Sequence, residues 1–422
     1  MDIKLEPKNA IEKEIQISGD RDIAAGALIL ASISDGISTL SNFPDVKEID
    51  YAVCALRLLG VNMEINGSGA TVFGAGLNGL KKPDFPIEIG DNTKLAFLLT
   101  GLLAPQNFDS EIVSEVDLTK SKFPEFCRLI SEMNGSVTLS AANGKSVIRI
   151  KGGKLLGKEH HLSFYSPASK GALFLAGLYA ENETSVIEAY PSHTHMENLI
   201  SAFGGEVGIC HHSRLVCHKA KALQSQKFFI SGDVSEALFY LCAGALCSDS
   251  RIRVKNVCLN SSRIGFLYTF LDMGIRIKIP REKESLGEAY GDIEVLSSDL
   301  KAISIDQNSL PRIINELPFI ITLCIFADGK SVIKKADFEA FEDIKPLLER
   351  LFLLGAEIEE NENEIKITGQ KYIEGGNIYC ESSYKTVNLL ALAALRAKNG
   401  ILLKIADAVE YNAIINNLKN LR

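Results

Sequence analysis

The tract ISGDRDIAAGALILA at residues 17–31 returns near mid-sequence as ISGDVSEALFYLCAGAL at residues 230–246, and this repetition constrains the fold more than any other feature of the chain. In both copies a β-like apolar run (Ile15 and Ile17; Phe228 and Ile230) leads into Ser-Gly-Asp. There Gly permits a tight backbone path and Asp can cap the helix that the following apolar residues predict. The copies divide the chain into nearly equal lengths. Ser18-Gly19-Asp20 and Ser231-Gly232-Asp233 therefore read as two hinge strands joining two similar halves, with a cleft between them. The expected domains are a discontinuous lobe of residues 1–18 plus 232–422 and a second lobe of residues 19–231.

A chain of 422 residues exceeds what one hydrophobic core usually organises, which agrees with two lobes. Its formal net charge of −8 argues against nucleic acid or an anionic membrane as partner, since both require clustered Lys and Arg. The opening MDIKLEPKNAIEKE lacks the apolar core of a signal peptide, and the apolar runs are too interrupted to span a bilayer, so a cytoplasmic location is expected, and separately a monomer. Nine cysteines occur without a CxxC pair. Cys54, Cys127, Cys242, Cys247 and Cys324 lie in apolar segments and read as reduced core thiols.

Between the hinges one grammar recurs: a strand, then a helix that stops at Gly, then an alternating strand. GISTLSNFP (36–44) precedes ALRLLGVNMEI (55–65), NFDSEIVSEV (107–116) precedes RLISEMNGSVTL (128–139), and NETSVIEAY (182–190) precedes NLISAFGGEVGI (198–209). The second half repeats the scheme with DSRIRVKNV (249–257) before YTFLDMGIRIKI (268–279) and DGKSVIKKADF (328–338) before LERLFLLGAEIEE (348–360). NGILLKIADAV (399–409) opens a last unit whose helix is expected to run to the end of the chain. A period of roughly seventy residues is too long for a solenoid and fits a small α+β block in which the helix packs on the sheet its strand joins.

Cys210-His211-His212 with Cys217-His218 supplies zinc-type ligands, but the tract reads as a hairpin turning near Ser213-Arg214, and neighbouring strand residues face opposite sides. No metal is expected there. Gly152-Gly153 and Gly375-Gly376 lack phosphate-loop spacing, and no cofactor is expected.

Several tracts follow known patterns. SGDRDIAAGALILASISDGISTLSNF stands against GDKSISHRALILAALAxGxSxIxNF, SPASKGALFLAGLYA (166–180) against SAQVKSALLLAGLxA, and HMENLISAFG (195–204) against HTExMLxAFG. LPRIINELPFI (310–320) matches IPxLIDEIPxL, and CLNSSRIGFLYTFLDMG (258–274) matches an N-x-x-R-x-G helix start. Those patterns belong to the enolpyruvyl (carboxyvinyl) transferase family, which the chain resembles over nearly its whole length, most closely on the branch acting on shikimate 3-phosphate. The resemblance implies an α/β fold of two similar domains, each of three sheet-and-helix units forming an inside-out α/β barrel, joined by two hinge strands. It also implies a cofactor-free transferase of aromatic amino acid biosynthesis. In that reaction phosphoenolpyruvate is protonated at its methylene and attacked by a hydroxyl of shikimate 3-phosphate, and phosphate leaves.

Two polyanions must then sit side by side. Like charges a few ångströms apart repel by about 4 kcal/mol per unit pair at an effective dielectric near 20, so the family surrounds them with Lys and Arg. By resemblance, Asp20, Arg21 and Asp22 fall at the first hinge site, where Arg21 replaces the family's Lys and Asp22 its Ser, and the family's next Arg is Gly26. The loop GNSGTTxR reads GDNTKLAF (90–97), with Thr93 in place of the inner Gly and Lys94 beside it. The following Arg-Pro is Ser121-Lys122, near Lys120. Ser166 and Ser192 stand at phosphate-binding serines, Pro167 and Ala168 replace a serine and a glutamine, Lys170 adds charge, and His195 falls at the sugar, with His193 beside it. The proton-handling Asp of LIDE is Asn315, next to a retained Glu316, and the Glu of KESDR is Ala340. An amide accepts no proton near neutral pH. The Lys and Arg of KESDR become Glu339 and Asp343, the Arg of DHR becomes Lys385, and the C-terminal Lys falls near Val409.

Two functional expectations follow. One is enolpyruvyl transfer, with Arg21, Lys170 and Lys385 supplying charge. The other is a non-catalytic relative that binds another ligand, or a protein, through the cleft. Substitution at most catalytic positions leans towards the second.

Overall fold

Alternation of hydrophobicity dictates one small sheet design that the chain uses again and again. The computed structural model describes residues 2–8, 10–210, 214–336, 338, 340–380 and 384–405. His211, His212, Glu339 and Val409 lie outside these residues, as does the side chain of Lys385. The chain divides into one unit of Met1–Ile17, Gly232–Lys283 and Tyr290–Arg422, and another of Ser18–Ser231 with Glu284–Ala289.

In the unit that begins at Ser18, three four-stranded sheets share one plan. A short edge strand runs parallel to a second strand, which is followed outward by the two antiparallel arms of a hairpin. The first sheet orders Lys227–Phe229, Asp35–Ser41, Gly69–Ala75 and Asn62–Asn66. Its successors are built from Ile87–Glu88, Ser110–Ser114, Lys145–Lys151 and Ser136–Ala142, then from Glu159–Leu162, Thr184–Glu188, Leu215–Cys217 and Val207–Ile209. The strand Lys145–Lys151 alternates exposed and buried residues, as one wet face requires. Inside lie the helices Arg21–Ser32, Thr93–Leu103 and Pro167–Gly177, whose last two turns are buried on every side. Helices apolar all round must be interior, and sheets apolar on one face must cover them. Gly101 makes that close packing possible, since a Cβ there would lie 2.2 Å from the Ala172 carbonyl oxygen.

The other unit repeats the plan with Glu12–Gln16, Arg251–Cys258, Glu288–Leu296 and Arg276–Ser285, then with Ser304–Ile305, Lys330–Lys334, Glu364–Thr368 and Glu357–Glu360. Its last sheet joins the two ends of the described chain: Gly376–Cys380 runs parallel to Ile401–Ile405, which pairs antiparallel with Asp2–Leu5. The helices Val234–Leu246, Leu317–Cys324 and Tyr384–Ala394 form its interior. The design is thus inside-out, helices within and sheets without, but the described sheets stay open and separate and close no barrel.

The helix–Gly–strand junctions explain themselves locally. Gly60, Gly204, Gly274 and Gly355 follow their helices with φ of 85°, 88°, 78° and 97°, the left-handed turn that a Cβ resists. At the remaining junction the expected Gly135 is not the turning residue. Asn134 takes φ 67°, which Asn tolerates, and Gly135 is needed for space, because its Cβ would meet Ile130 Cγ2 at 2.5 Å. Gly19 and Gly232 also act through space: neither has a positive φ, and a Cβ on Gly19 would fall 2.1 Å from the Asn42 carbonyl oxygen. The thiol expectation needs correcting at two positions. Cys242, Cys247 and Cys324 are buried, but Cys54 is exposed and Cys127 only half-buried, since the helices Lys47–Leu58 and Phe123–Glu132 turn those positions away from Ile49, Leu56, Phe126 and Ile130. No helix among the described residues is long and apolar enough to cross a membrane.

Candidate functional site

The first candidate residues lie at the start of helix Arg21–Ser32. Asp20 caps it, its Oδ1 accepting the amides of Asp22 at 2.8 Å and Ile23 at 3.1 Å, so this buried carboxylate is held by the helix it begins. Arg21 Nη1 donates to Glu48 Oε1 at 2.6 Å, and Lys94 Nζ donates to Asp22 Oδ2 at 2.5 Å. Asn92 ties these contacts together, capping helix Thr93–Leu103 through the Leu95 amide while its own amide donates to the Glu48 carbonyl at 3.2 Å. Thr93 is exposed at that helix start. The cations expected to face an anionic ligand are thus already opposite carboxylates.

Gly26 adds a steric fact. A Cβ there would lie 2.7 Å from Met196 Sδ and 2.9 Å from Leu199 Cδ1, so helix His195–Ala202 occupies the space that a longer side chain would need. Lys122 sits 5.7 Å from the centre of the Phe164 ring, a cation–π contact beside the next group of residues.

That group is built on the third sheet and its helix. Ser166 caps helix Pro167–Gly177, its Oγ accepting the Ser169 amide at 3.2 Å. One turn in, Lys170 is 1 % exposed, and its ammonium meets Glu197 Oε1 at 2.7 Å, Glu188 Oε2 at 3.0 Å and the Ser192 carbonyl at 3.3 Å. Two of these contacts are hydrogen bonds, to Glu188 and the Ser192 carbonyl, and the third, to Glu197, is an ion pair. Burial pushes the Glu197 carboxyl above its ordinary range, against the pull of Lys170. Ser192 Oγ donates to the other oxygen of Glu188. Beside this cluster Tyr165 Oη and His193 Nε2 lie 3.0 Å apart, and His195 Nδ1 contacts the fully buried Glu288 at 3.0 Å, where Asn198 Nδ2 also donates.

In the other unit, Asp233 caps helix Val234–Leu246 through the amides of Ser235 at 2.7 Å and Glu236 at 3.0 Å. Glu316, 1 % exposed, accepts from Arg263 Nη2 at 3.1 Å, and burial, with Asp233 nearby, raises its carboxyl above the usual range. Asn315 is exposed beside it. Asp343 is exposed on helix Ala340–Leu353, and Lys385 belongs to helix Tyr384–Ala394.

Arg21 with Glu48, Asp22 with Lys94, and Ser192 with Lys170 are brought together; Lys122 stands apart on its ring. The residues that sequence reading missed are the acceptors Glu48, Glu188, Glu197 and Glu288. For Glu188 and Glu197 the advance signal is that an interior Lys must have a carboxylate near it.

Residues 5–412 match the family described as EPSP synthase (3-phosphoshikimate 1-carboxyvinyltransferase). The 3-phosphoshikimate 1-carboxyvinyltransferase of Bacillus velezensis is 31 % identical over 415 residues, spanning 97 % of this chain and 96 % of that one. The Geobacillus kaustophilus protein of the same name is also 31 % identical, over 96 % and 97 % of the two chains. Among solved structures, EPSP synthase from Acinetobacter baumannii superposes with a TM-score of 0.88 at 23 % identity, covering 100 % of this chain and 98 % of that one. The enolpyruvyl transferase NikO from Streptomyces tendae gives 0.78 at 14 % identity, covering 99 % and 96 %.

Proposed function

The chain belongs to the EPSP synthase family, and on that premise we propose that it uses the family scaffold to bind a ligand of lower negative charge, without ordinary enolpyruvyl transfer to shikimate 3-phosphate. One observation carries this reading. Arg21 is paired with Glu48, Lys94 with Asp22, and Lys170 with both Glu188 and Glu197. A cation neutralised at 2.5–3.0 Å contributes little field to an incoming phosphate, and freeing the buried Lys170 would strand two carboxylates in a low dielectric. Substitution of the proton-handling positions by Asn315 and Ala340 points the same way, because neither side chain can take up or release a proton near neutral pH.

Full-length similarity to proteins named 3-phosphoshikimate 1-carboxyvinyltransferase favours a second reading, the ordinary family reaction. The two separate in one pair of measurements. Phosphate release is followed with phosphoenolpyruvate and shikimate 3-phosphate, alongside melting temperature with each compound alone and with both. Binding of a less anionic ligand predicts no release above a Ser166→Ala, Ser192→Ala control and no joint stabilisation. Turnover at ordinary rates, or a melting shift with both compounds well above the sum of the single shifts, would establish the family reaction instead.

A further inference from the structure

His160 belongs to none of the clusters above, yet it is 1 % exposed and neither of its ring nitrogens has a hydrogen-bond partner among the described residues. Buried polar atoms are nearly always satisfied, so an imidazole left bare on both sides calls for an explanation. It sits on the strand Glu159–Leu162, in parallel register with Val186 of strand Thr184–Glu188, against the helix Phe123–Glu132 of the preceding module. The nearest charge is Glu132 Oε2, 3.6 Å from Nδ1, while the other oxygen of Glu132 accepts from Arg128.

We propose that His160 is a pH-sensitive latch between the second and third sheet-and-helix modules of the unit beginning at Ser18, closed when the ring is neutral and loosened by acid. Neutral, the ring fills the junction as an apolar plate would. Protonated, it places a charge in a buried junction whose nearest carboxylate, Glu132, stands 3.6 Å away and is shared with Arg128. The groups that bear on it are Glu132 and Arg128 from the helix and His161 from its own strand; the neighbouring strand offers Val186, and its Glu188 is held by Lys170 and Ser192.

Burial holds the ring below its ordinary value, with Glu132 opposing and Arg128 and His161 assisting. The sign follows. A base whose folded-state value is depressed leaves stability untouched above its unfolded value of about 6.5 and removes it as pH falls below that point. The consequence reaches the candidate site, because the same strand runs on through Ser163, whose Oγ donates to Glu125 of that helix at 3.1 Å, to Tyr165 and the cap Ser166. The latch depends on the fold and is independent of which ligand the protein takes.

The test is the full chain melted at pH 7.5 and pH 5.5, as wild type, His160→Phe, Glu132→Gln and the exposed control His161→Gln. We expect the wild type and His161→Gln to lose melting temperature on acidification, His160→Phe to lose clearly less, and Glu132→Gln to lose more. The His160 ring titration, followed by NMR in the wild-type protein, should have its midpoint below about 6.5. An unchanged acid-induced loss in His160→Phe would overturn the proposal. If that variant does not fold, the wild-type titration decides alone, and a midpoint at or above the ordinary value would sink the latch.

Discussion

The two Ser-Gly-Asp tracts match up to the capping Asp and differ in the residues that follow it. Asp20 and Asp233 each accept two amides of the following helix at distances that agree within 0.1 Å (2.8 and 3.1 Å against 2.7 and 3.0 Å). Gly19 and Gly232 each stand where a Cβ has no room. Immediately after the cap the copies part: Arg21 meets Glu48 across its unit, whereas Val234 is wholly buried. The tract is therefore a structural requirement, satisfied twice in the same way, while the residue after it is free to carry charge or not. A repeated motif in this chain marks architecture rather than chemistry.

The buried ion pairs of the two units sharpen the contrast. Lys170 faces two carboxylates and a carbonyl, and Glu316 is among the partners of Arg263. Removing a buried partner costs about 3–5 kcal/mol, chiefly by stranding the charge left behind. Lys170→Met, which strands Glu188 and Glu197, should lie at the top of that range or prevent folding, and Arg263→Met, which leaves Glu316 buried without its guanidinium, should lie within it. Equal losses in denaturant melts would show that the two clusters are energetically alike.

Gly19 and Gly232 come next. Gly19→Ala drives a Cβ to 2.1 Å from a backbone oxygen, whereas at Gly232 the nearest atoms are those of the Ile17 side chain at 2.5 Å and the backbone oxygen, of Asn256, stands off at 2.9 Å. Overpacking of this kind costs about 1–3 kcal/mol, so thermal melts should rank Gly19→Ala as the more destabilised. Matched losses would mean that the backbone at Asn42 yields as easily as a side chain.

The caps should behave alike. Asp20→Ala and Asp233→Ala are each expected to cost about 1 kcal/mol, read as matched shifts in denaturation midpoint. Unequal shifts would give one of the two carboxylates a role beyond its helix. The smallest effect on stability is expected from Arg21→Ala, since each member of its pair with Glu48 is about a third exposed and such pairs contribute under about 1 kcal/mol.

Acidity distinguishes the clusters as well. Glu197 and Glu316 both have carboxyls raised by burial, so the stability they contribute is fully present below the ordinary carboxyl range and is lost as pH rises through the folded-state value. Relative to the wild type, Glu197→Gln should gain melting temperature at pH 8 compared with pH 5. An unaltered slope would mean that Lys170 keeps this carboxylate ionised throughout.

Much of the architecture was legible beforehand because its causes are local. The helix–Gly–strand junctions at Gly60, Gly204, Gly274 and Gly355 announce a left-handed turn that few other residues accept. The exception is instructive: at Asn134-Gly135 either residue can take the turn, and the choice is made by Ile130, which leaves no space for a Cβ on the second. Cys54 was misjudged because its apolar neighbours in sequence are not its neighbours around the helix, whose period sets Ile49, Val53 and Leu56 inward instead. Of the candidate site, the cations Arg21, Lys94 and Lys170 could be picked out from the sequence, but not what they face.

By itself the sequence determined the succession of sheets and helices, the caps at Asp20 and Asp233, and the inventory of charges and amides, since each depends on residues a few positions apart. The tertiary structure alone decided how those charges are used. Lys94 finds Asp22 from 72 residues away, and His160, 3.6 Å from Glu132, is left without a hydrogen-bond partner among the described residues. Electrostatic energy depends on separation in space and on the surrounding dielectric, and neither is written in the order of residues along a chain.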